Sequence, residues 1–542
     1  MRNQAVRSSI RRGSTRGRAP RTIAIACAIA FATGCAQVGD QPEIQPYRYA
    51  PASAARPWSP TAPSNYLTPP LRQSAPFANG AATAPTAAPA ETVLAPVATS
   101  AADEDPAATA PSAANDPASA TSPSAPRYDL AALIDLGLAN NPDTHRAWEA
   151  ARAAAARYGA ARAPYYPLVT SEFDAGYQRT PFPFPGQIVA LKQWQADPTI
   201  ALTYALMDFG RRRANADAAR DALAAANFRF NRELQRVVFA IERGYFALAA
   251  SRAAVTAATR NLELSEADLR AVKQRRDLGL ATQPEYLLAK EREAQSKYDL
   301  ANARLMVAEA RADLAVALGI PADEPFAVEP LDRMAAPRAL GAELEALIGE
   351  AKRMRPDLAA RVAEMRQREA IRREAAAQWR PEIDLESAYG QDVWGFQIAG
   401  PPTVNVNEPQ YSAIVALRWD LFTGFRRRND DRRAESEQAA ARDALRSRQI
   451  DAIAEVWRAY YEFQSAREKY DYANALLAAT REAYTANRET YRQGLSTIIE
   501  LLTASRDLAG ARYVHIQSHA DLLTAAAAAA YAAGAIAPPT TP

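Results

Sequence analysis

Tyr204-Ala205-Leu206-Met207-Asp208-Phe209-Gly210-Arg211-Arg212-Arg213 returns in altered form as Trp419-Asp420-Leu421-Phe422-Thr423-Gly424-Phe425-Arg426-Arg427-Arg428. In both stretches an alternating run ends at a glycine, and an arginine triplet then opens a long Ala-, Arg- and Glu-rich segment of helical period. A strand-to-helix junction is therefore written twice. Other landmarks keep the same spacing. Asn141-Pro142-Asp143 and Arg355-Pro356-Asp357 lie 214 residues apart, as do Pro167 and Pro381, and Gly210 and Gly424. Gly279-Leu280-Ala281-Thr282 and Gly494-Leu495-Ser496-Thr497 lie 215 apart. So long a period is no solenoid; it marks a duplicated half-domain.

Each half reads alike. A short helix ends at the step before proline, where the helical region is disfavoured. A helix of about six turns follows over Asp143–Ala163, or Asp357–Gln378. Two strands come next. A long helix then runs from Arg213 to near Leu278, or from Arg427 to near Gln493. After the glycine turn a helix returns over Pro284–Leu318, or Thr497–Tyr531.

The strands alternate with period two. Val169, Phe173 and Tyr177 share one face of the first, with Glu172, Asp174 and Gln178 on the other. Tyr411, Val415, Leu417 and Trp419 oppose Ser412, Ala416 and Arg418 in the fourth. Carboxylates on one face and aliphatic and aromatic groups on the other suit a barrel with a wet lumen and a lipid exterior. The expected length is about ten residues, enough for one crossing.

The first 34 residues read as a targeting segment: seven arginines, no acid, then a short apolar run from Thr22 to Ala32. Cys35 follows Thr33-Gly34 and is the expected lipidation point, with Ala36 after it rather than an inner-membrane retention aspartate. Removing the seven arginines turns the formal charge from +3 to about −4, which argues against a nucleic-acid surface. The only other cysteine, Cys27, lies in the same segment, so no disulfide or cysteine metal site is expected. His515 and His519 share a helix face but lack an acidic partner, and solvated positions are expected for them.

The expected division is a signal over 1–34, an anchored segment over 35–73 and a disordered Pro/Ala-rich linker over 74–127. Repeats over 128–338 and 339–536 and a disordered tail over 537–542 complete it. Tyr47, Tyr49, Trp58 and Tyr66 are expected to lie along the folded body. Beyond the signal no apolar run is long enough for a membrane helix, so a membrane crossing must be a closed barrel. Four strands per chain cannot close one, and open edges are not tolerated in lipid. Two chains would give a filled eight-stranded barrel; three would give twelve strands and a lumen. A helix of roughly 65 residues spans about 100 Å.

The Pro-ended helices, the Asp208–Arg213 and Phe422–Arg428 junctions, Leu133–Pro142 and the two glycine turns, in this order, resemble the TolC-like outer membrane efflux protein family, in its lipid-anchored branch, from Tyr128 to Gly534. The resemblance implies a mostly α fold with a small β part. The duplicated helix–strand–strand–helix units would form a trimeric 12-stranded β-barrel on a long α-helical periplasmic barrel. It implies a homotrimer in outer-membrane lipid, with a periplasmic adaptor protein at the two Gly turns. The inner-membrane pump would be of the resistance-nodulation-division type. The cargo would be small molecules such as drugs or toxic compounds.

It also implies that Glu285 and Glu500, six residues after each turn glycine, belong to the inward tip. Glu500 would form an acidic ring at the constriction, Thr503 would replace a second acid, and Tyr491 would tether the gate. For either glutamate the alternative is a solvated surface position. No catalytic set stands out, so the expectation is a non-enzyme without cofactor apart from a lipid on Cys35. Heavy-metal efflux, a type I protein secretion duct and a structural periplasmic coiled-coil lipoprotein without a pore are the competing readings.

Overall fold

The computed structural model describes residues 46–59, 129–324, 326–398 and 402–536. The signal, Cys35, Tyr66, the 74–127 linker and the 537–542 tail lie outside the described residues. In chain order the elements are α1 (Leu130–Asn140), α2 (Pro142–Ala161), β1 (Leu168–Phe184), β2 (Gln187–Met207), α3 (Arg211–Asp277) and α4 (Gln283–Leu318). The second copy supplies α5 (Leu344–Met354), α6 (Pro356–Ala377), β3 (Glu382–Ile398), β4 (Val404–Arg418), α7 (Arg426–Arg492) and α8 (Ile498–Ala533). The helical halves of the repeats match residue for residue: α3 and α7 have 67 residues each, α4 and α8 have 36 each.

The chain divides into two compact units, each assembled from both repeats. The first holds the sheet, the N-terminal segment and helix residues 143–233 and 359–444. Its strands form one antiparallel meander in the order β1-β2-β3-β4, which leaves β1 and β4 as free edges. β1 and β2 pair from Leu168↔Thr203 to Phe184↔Gln187 around Pro185-Gly186. The strands are longer than the expected ten residues, at 17, 21, 17 and 15. The strands run through prolines. Pro181 and Pro183 lie on β1, and Pro409 on β4, where an edge strand tolerates a missing donor. Pro198 lies on an inner strand, and there the β2–β3 ladder skips from Gln195↔Trp394 to Thr199↔Gly390. The Asp197 carboxylate accepts the Val393 amide across this gap.

Both faces of the sheet are open in a single chain. Phe173, Tyr177, Tyr411 and Val415 are exposed, as are Glu172 and Asp174. At the base of β2, Asp208 accepts from the Gly210 and Arg212 amides at 3.1 and 2.7 Å and from Arg212 Nε at 3.0 Å. Burial raises its pKa, but these donors outweigh it and hold the carboxyl below its ordinary range. The second junction is longer, with seven residues between β4 and α7 against three between β2 and α3. One residue of this difference, Phe425 between Gly424 and the arginine triplet, turns the 214-residue spacing into 215. Tyr47, Tyr49 and Trp58 do lie along the body. Tyr49 meets Tyr158 edge-on at 5.4 Å, Trp58 meets Phe228 at 5.2 Å, and Asn231 bonds the Trp58 backbone in both directions.

The second unit holds residues 234–358 and 445–536 with α1. In each repeat a short helix covers the returning one. Asn141 Nδ2 donates to the Ala317 carbonyl at 2.8 Å, and Gly137 of α1 lies against Ile241 and Leu318. In the second repeat, Arg355 occupies the Asn141 position and donates to Ala532 O at 3.0 Å. Its guanidinium is wholly buried between Asp357 (2.9 Å) and Glu455 (2.6 Å), and Arg448 bridges the same two acids.

Candidate functional site

The two glycine turns lie in the second unit. α3 ends in a Schellman-type turn: Leu280 N donates to Arg275 O (2.8 Å), Gly279 N to Arg276 O (2.9 Å), and Gly279 takes φ +73°. The second turn repeats this, with Leu495 N on Thr490 O (2.9 Å), Gly494 N on Tyr491 O (3.1 Å) and φ +78° at Gly494. Leu280 and Leu495, directly after the glycines, are among the most exposed apolar residues of the chain, at 66% and 75%. Ala281 is partly buried, and Ser496 bonds back to Thr490 Oγ1 at 3.1 Å.

Thr282 and Thr497 then cap the returning helices in matching capping boxes. Thr282 N donates to Glu285 Oε2 at 2.6 Å while Glu285 N donates to Thr282 Oγ1 at 3.4 Å. Thr497 N donates to Glu500 Oε2 at 3.2 Å and Glu500 N to Thr497 Oγ1 at 3.3 Å. Each acid closes a helix N-terminus. The signature Thr-x-x-Glu at the start of an apolar-periodic run was available in the sequence. The capping bond leaves Glu500 exposed. With Thr503 and Asp507 it lines a groove of about 310 Å³ that also touches Asn487.

The turns are held together by an apolar cluster of Val272, Ala289, Tyr484, Tyr491, Ile498 and Leu501. Tyr491 is buried, and the Arg275 guanidinium lies over its ring at 4.9 Å while donating to its carbonyl at 2.9 Å. This ties the end of α7 to the end of α3. Arg276 stacks on Tyr286 at 4.2 Å. Reasoning from sequence missed Arg275, Arg276 and Asp268; the signal was two arginines in the last turn of a long helix, where cations complement the dipole. Burial raises the Asp268 carboxyl to about 6, against the lowering effect of Arg488 and of Tyr484, whose hydroxyl is itself pushed up to about 12.

His519 departs from expectation. It is buried rather than solvated, packed with His515 against Tyr470 at 5.0 and 5.7 Å, and burial lowers both imidazoles. Among the described residues no group of three His, Cys, Asp or Glu gathers at a metal-binding distance, and no helix is long and apolar enough to cross a membrane.

A duplicated unit that joins membrane-length strand pairs to two long helical hairpins defines a channel protein of the outer-membrane export class. The outer membrane efflux protein family matches residues 133–320 and again 347–535, and the chain belongs to that family. Among curated proteins it is similar to Protein CyaE of Bordetella pertussis, 29% identical over 76% of this chain and 86% of that one. It is also similar to the pyoverdine export outer membrane protein OpmQ of Pseudomonas putida, 25% identical over 70% and 80%. Its fold matches the outer-membrane channel OprN (TM-score 0.65, 21% identity, 75% of this chain and 89% of that chain). It also matches the open state of the MtrE outer membrane channel of Neisseria gonorrhoeae (0.61, 21%, 75% and 88%).

Proposed function

We propose that three copies of this chain form a passive outer-membrane duct of a tripartite export system. The duct carries small molecules, drugs and toxic compounds among them, from a periplasmic adaptor and an inner-membrane pump to the exterior. The observation that carries this is the four-stranded meander with two free edges and both faces open: it closes only by borrowing strands, and three chains give a twelve-stranded barrel with a lumen. The export of pyoverdine, named in one relative, supports a small-molecule cargo.

The adaptor docks at Gly279–Thr282 and Gly494–Thr497, where Leu280 and Leu495 offer apolar contacts. Glu500 supplies the acidic ring at the constriction, Glu285 belongs to the same tip, and Tyr491 holds the gate through Arg275. A lipid on Cys35 anchors the chain. Labelled palmitate should enter the protein and be lost in Cys35→Ser.

The test of the duct is conductance. Purified protein in planar bilayers should open discrete cation-preferring steps, and deletion should sensitise cells to several unrelated toxic compounds. A protein that gives no conductance after insertion, and no sensitisation on deletion, is not this duct.

A further inference from the structure

His515 and His519 are two of the three histidines of the chain; the third, His145, belongs to the first unit. Both lie on α8, one helical turn apart, so their side chains leave the helix on one face. Both rings pack on the same partner, Tyr470 of α7, with centroids at 5.7 and 5.0 Å and nearly equal tilts of 34° and 35°. The segment that connects the two repeats crosses the helices here. Its Ala336 and Leu340 join Phe463, Ala466 and Leu522 in an apolar floor against which Tyr470 also packs. Arg467 Nη1 of α7 donates to the Arg338 carbonyl of the same segment at 3.3 Å.

His519 is the inner ring, only 5% exposed, and His515 is partly exposed. The Met334 backbone of the connecting segment hydrogen-bonds the His519 ring and favours its protonated form, so the carbonyl is the group that accepts. Among the described residues, Nε2 of His519 is buried and has no hydrogen-bond partner. The donor to Met334 is therefore Nδ1, and Nε2 carries a buried lone pair that no donor meets. An acceptor left in this way costs stability until something binds it. A ring whose Nδ1–H is fixed on a backbone carbonyl and whose Nε2 is bare is the form in which histidine takes a metal. Two histidines at i and i+4 on one helix face have the spacing by which helices hold such an ion. Burial lowers both imidazoles, which keeps them neutral and their lone pairs available.

We propose that His519, through Nε2, and His515 together bind one borderline divalent transition-metal ion, with water completing its shell. Two ring nitrogens without a carboxylate or thiolate suit copper, nickel and zinc, and disfavour magnesium and calcium. Of these, Cu(II) binds most tightly at nitrogen donors. The partly exposed side at His515 is the way in. A metal on Nε2 makes the Nδ1 proton a stronger donor, so an ion would tighten the connecting segment on α8 through Met334. The site needs only the packing within one unit of one chain, and it is independent of the duct reading.

Copper binding tests it. The full chain, untagged, in detergent and with any free thiol blocked by N-ethylmaleimide, is dialysed against Cu(II). It should retain one copper per chain, and pulsed electron paramagnetic resonance should show nitrogen modulation from two imidazole rings. His515→Ala and His519→Gln should each weaken binding by more than the roughly tenfold that an outer-shell change costs. His145→Ala should leave it unchanged. Circular dichroism and size in detergent check that each variant is folded. His515 is partly exposed, so His515→Ala keeps the test decisive even where His519→Gln does not fold. Protein that retains no copper, that binds it equally well as folded His515→Ala, that loses it in His145→Ala, or whose signal carries fewer than two rings overturns the site. None of these outcomes bears on the conductance that tests the duct.

Discussion

Glu500 illustrates how a single residue serves two demands. Its carboxylate closes a capping box with Thr497, yet the side chain stays exposed. Glutamine preserves the box geometry. Glu500→Gln should therefore leave the fold intact and lower cation preference in single-channel recordings, whereas Glu500→Ala should also loosen the start of α8. Unchanged selectivity in Glu500→Gln would remove the residue from the pore. Gly494 holds φ +78°, so Gly494→Ala should cost about 1 kcal/mol and lower the unfolding midpoint, with the same direction at Gly279. Asp268 carries a sign that can be worked out. Its carboxyl is raised in the folded chain to about 6, so the buried charge costs stability as pH rises from about 4 through 6. Asp268→Asn should raise the thermal midpoint at pH 7.5 and change it little at pH 4, as read by scanning calorimetry at both values. The glycines and the two glutamates were legible in sequence because spacing picks them out. Arg275 and Asp268 were not, because their roles depend on partners about two hundred residues away along the chain, such as Tyr491 and Tyr484.

At the scale of elements, helical period and glycine turns located the helices to within a few residues, because amphipathic spacing and αL caps are local signals. The strands were read too short. Alternation fades at Pro181, Pro183 and Pro198, and only the pairing of β1 with β2 shows that the strand continues through them. The joint between α5 and α6 holds the wholly buried Arg355. Losing one partner of a buried ion pair strands the others, so Arg355→Leu should destabilise the second unit by about 3 kcal/mol. Burial raises the Glu455 carboxyl, but Arg355 and Arg448 together outweigh it and hold it below the ordinary glutamate range. A depressed carboxyl contributes stability that is full above its unfolded value near 4.5 and is lost as pH falls through the lower folded value. The difference in unfolding midpoint between Arg355→Leu and the parent chain should therefore shrink as pH is lowered below about 4. The first repeat solves the same joint with the neutral Asn141, so Asn141→Leu should show no such pH dependence.

For the whole molecule, the duplication was the most legible feature, and the sheet order gave it consequences that spacing alone could not. Spacing counted four strands; the structure shows them in one meander whose outermost members come from different repeats. In the proposed ring, a chain built this way brings two different edges, β1 and β4, and each copy must offer both. This has a genetic reading. A variant that folds normally but blocks one edge would still bind through the other and poison every ring that it enters. With equal amounts of normal and blocked chains in rings of three, only about one ring in eight would be wholly normal. Such an allele should be dominant over the normal gene, while a simple deletion should be recessive.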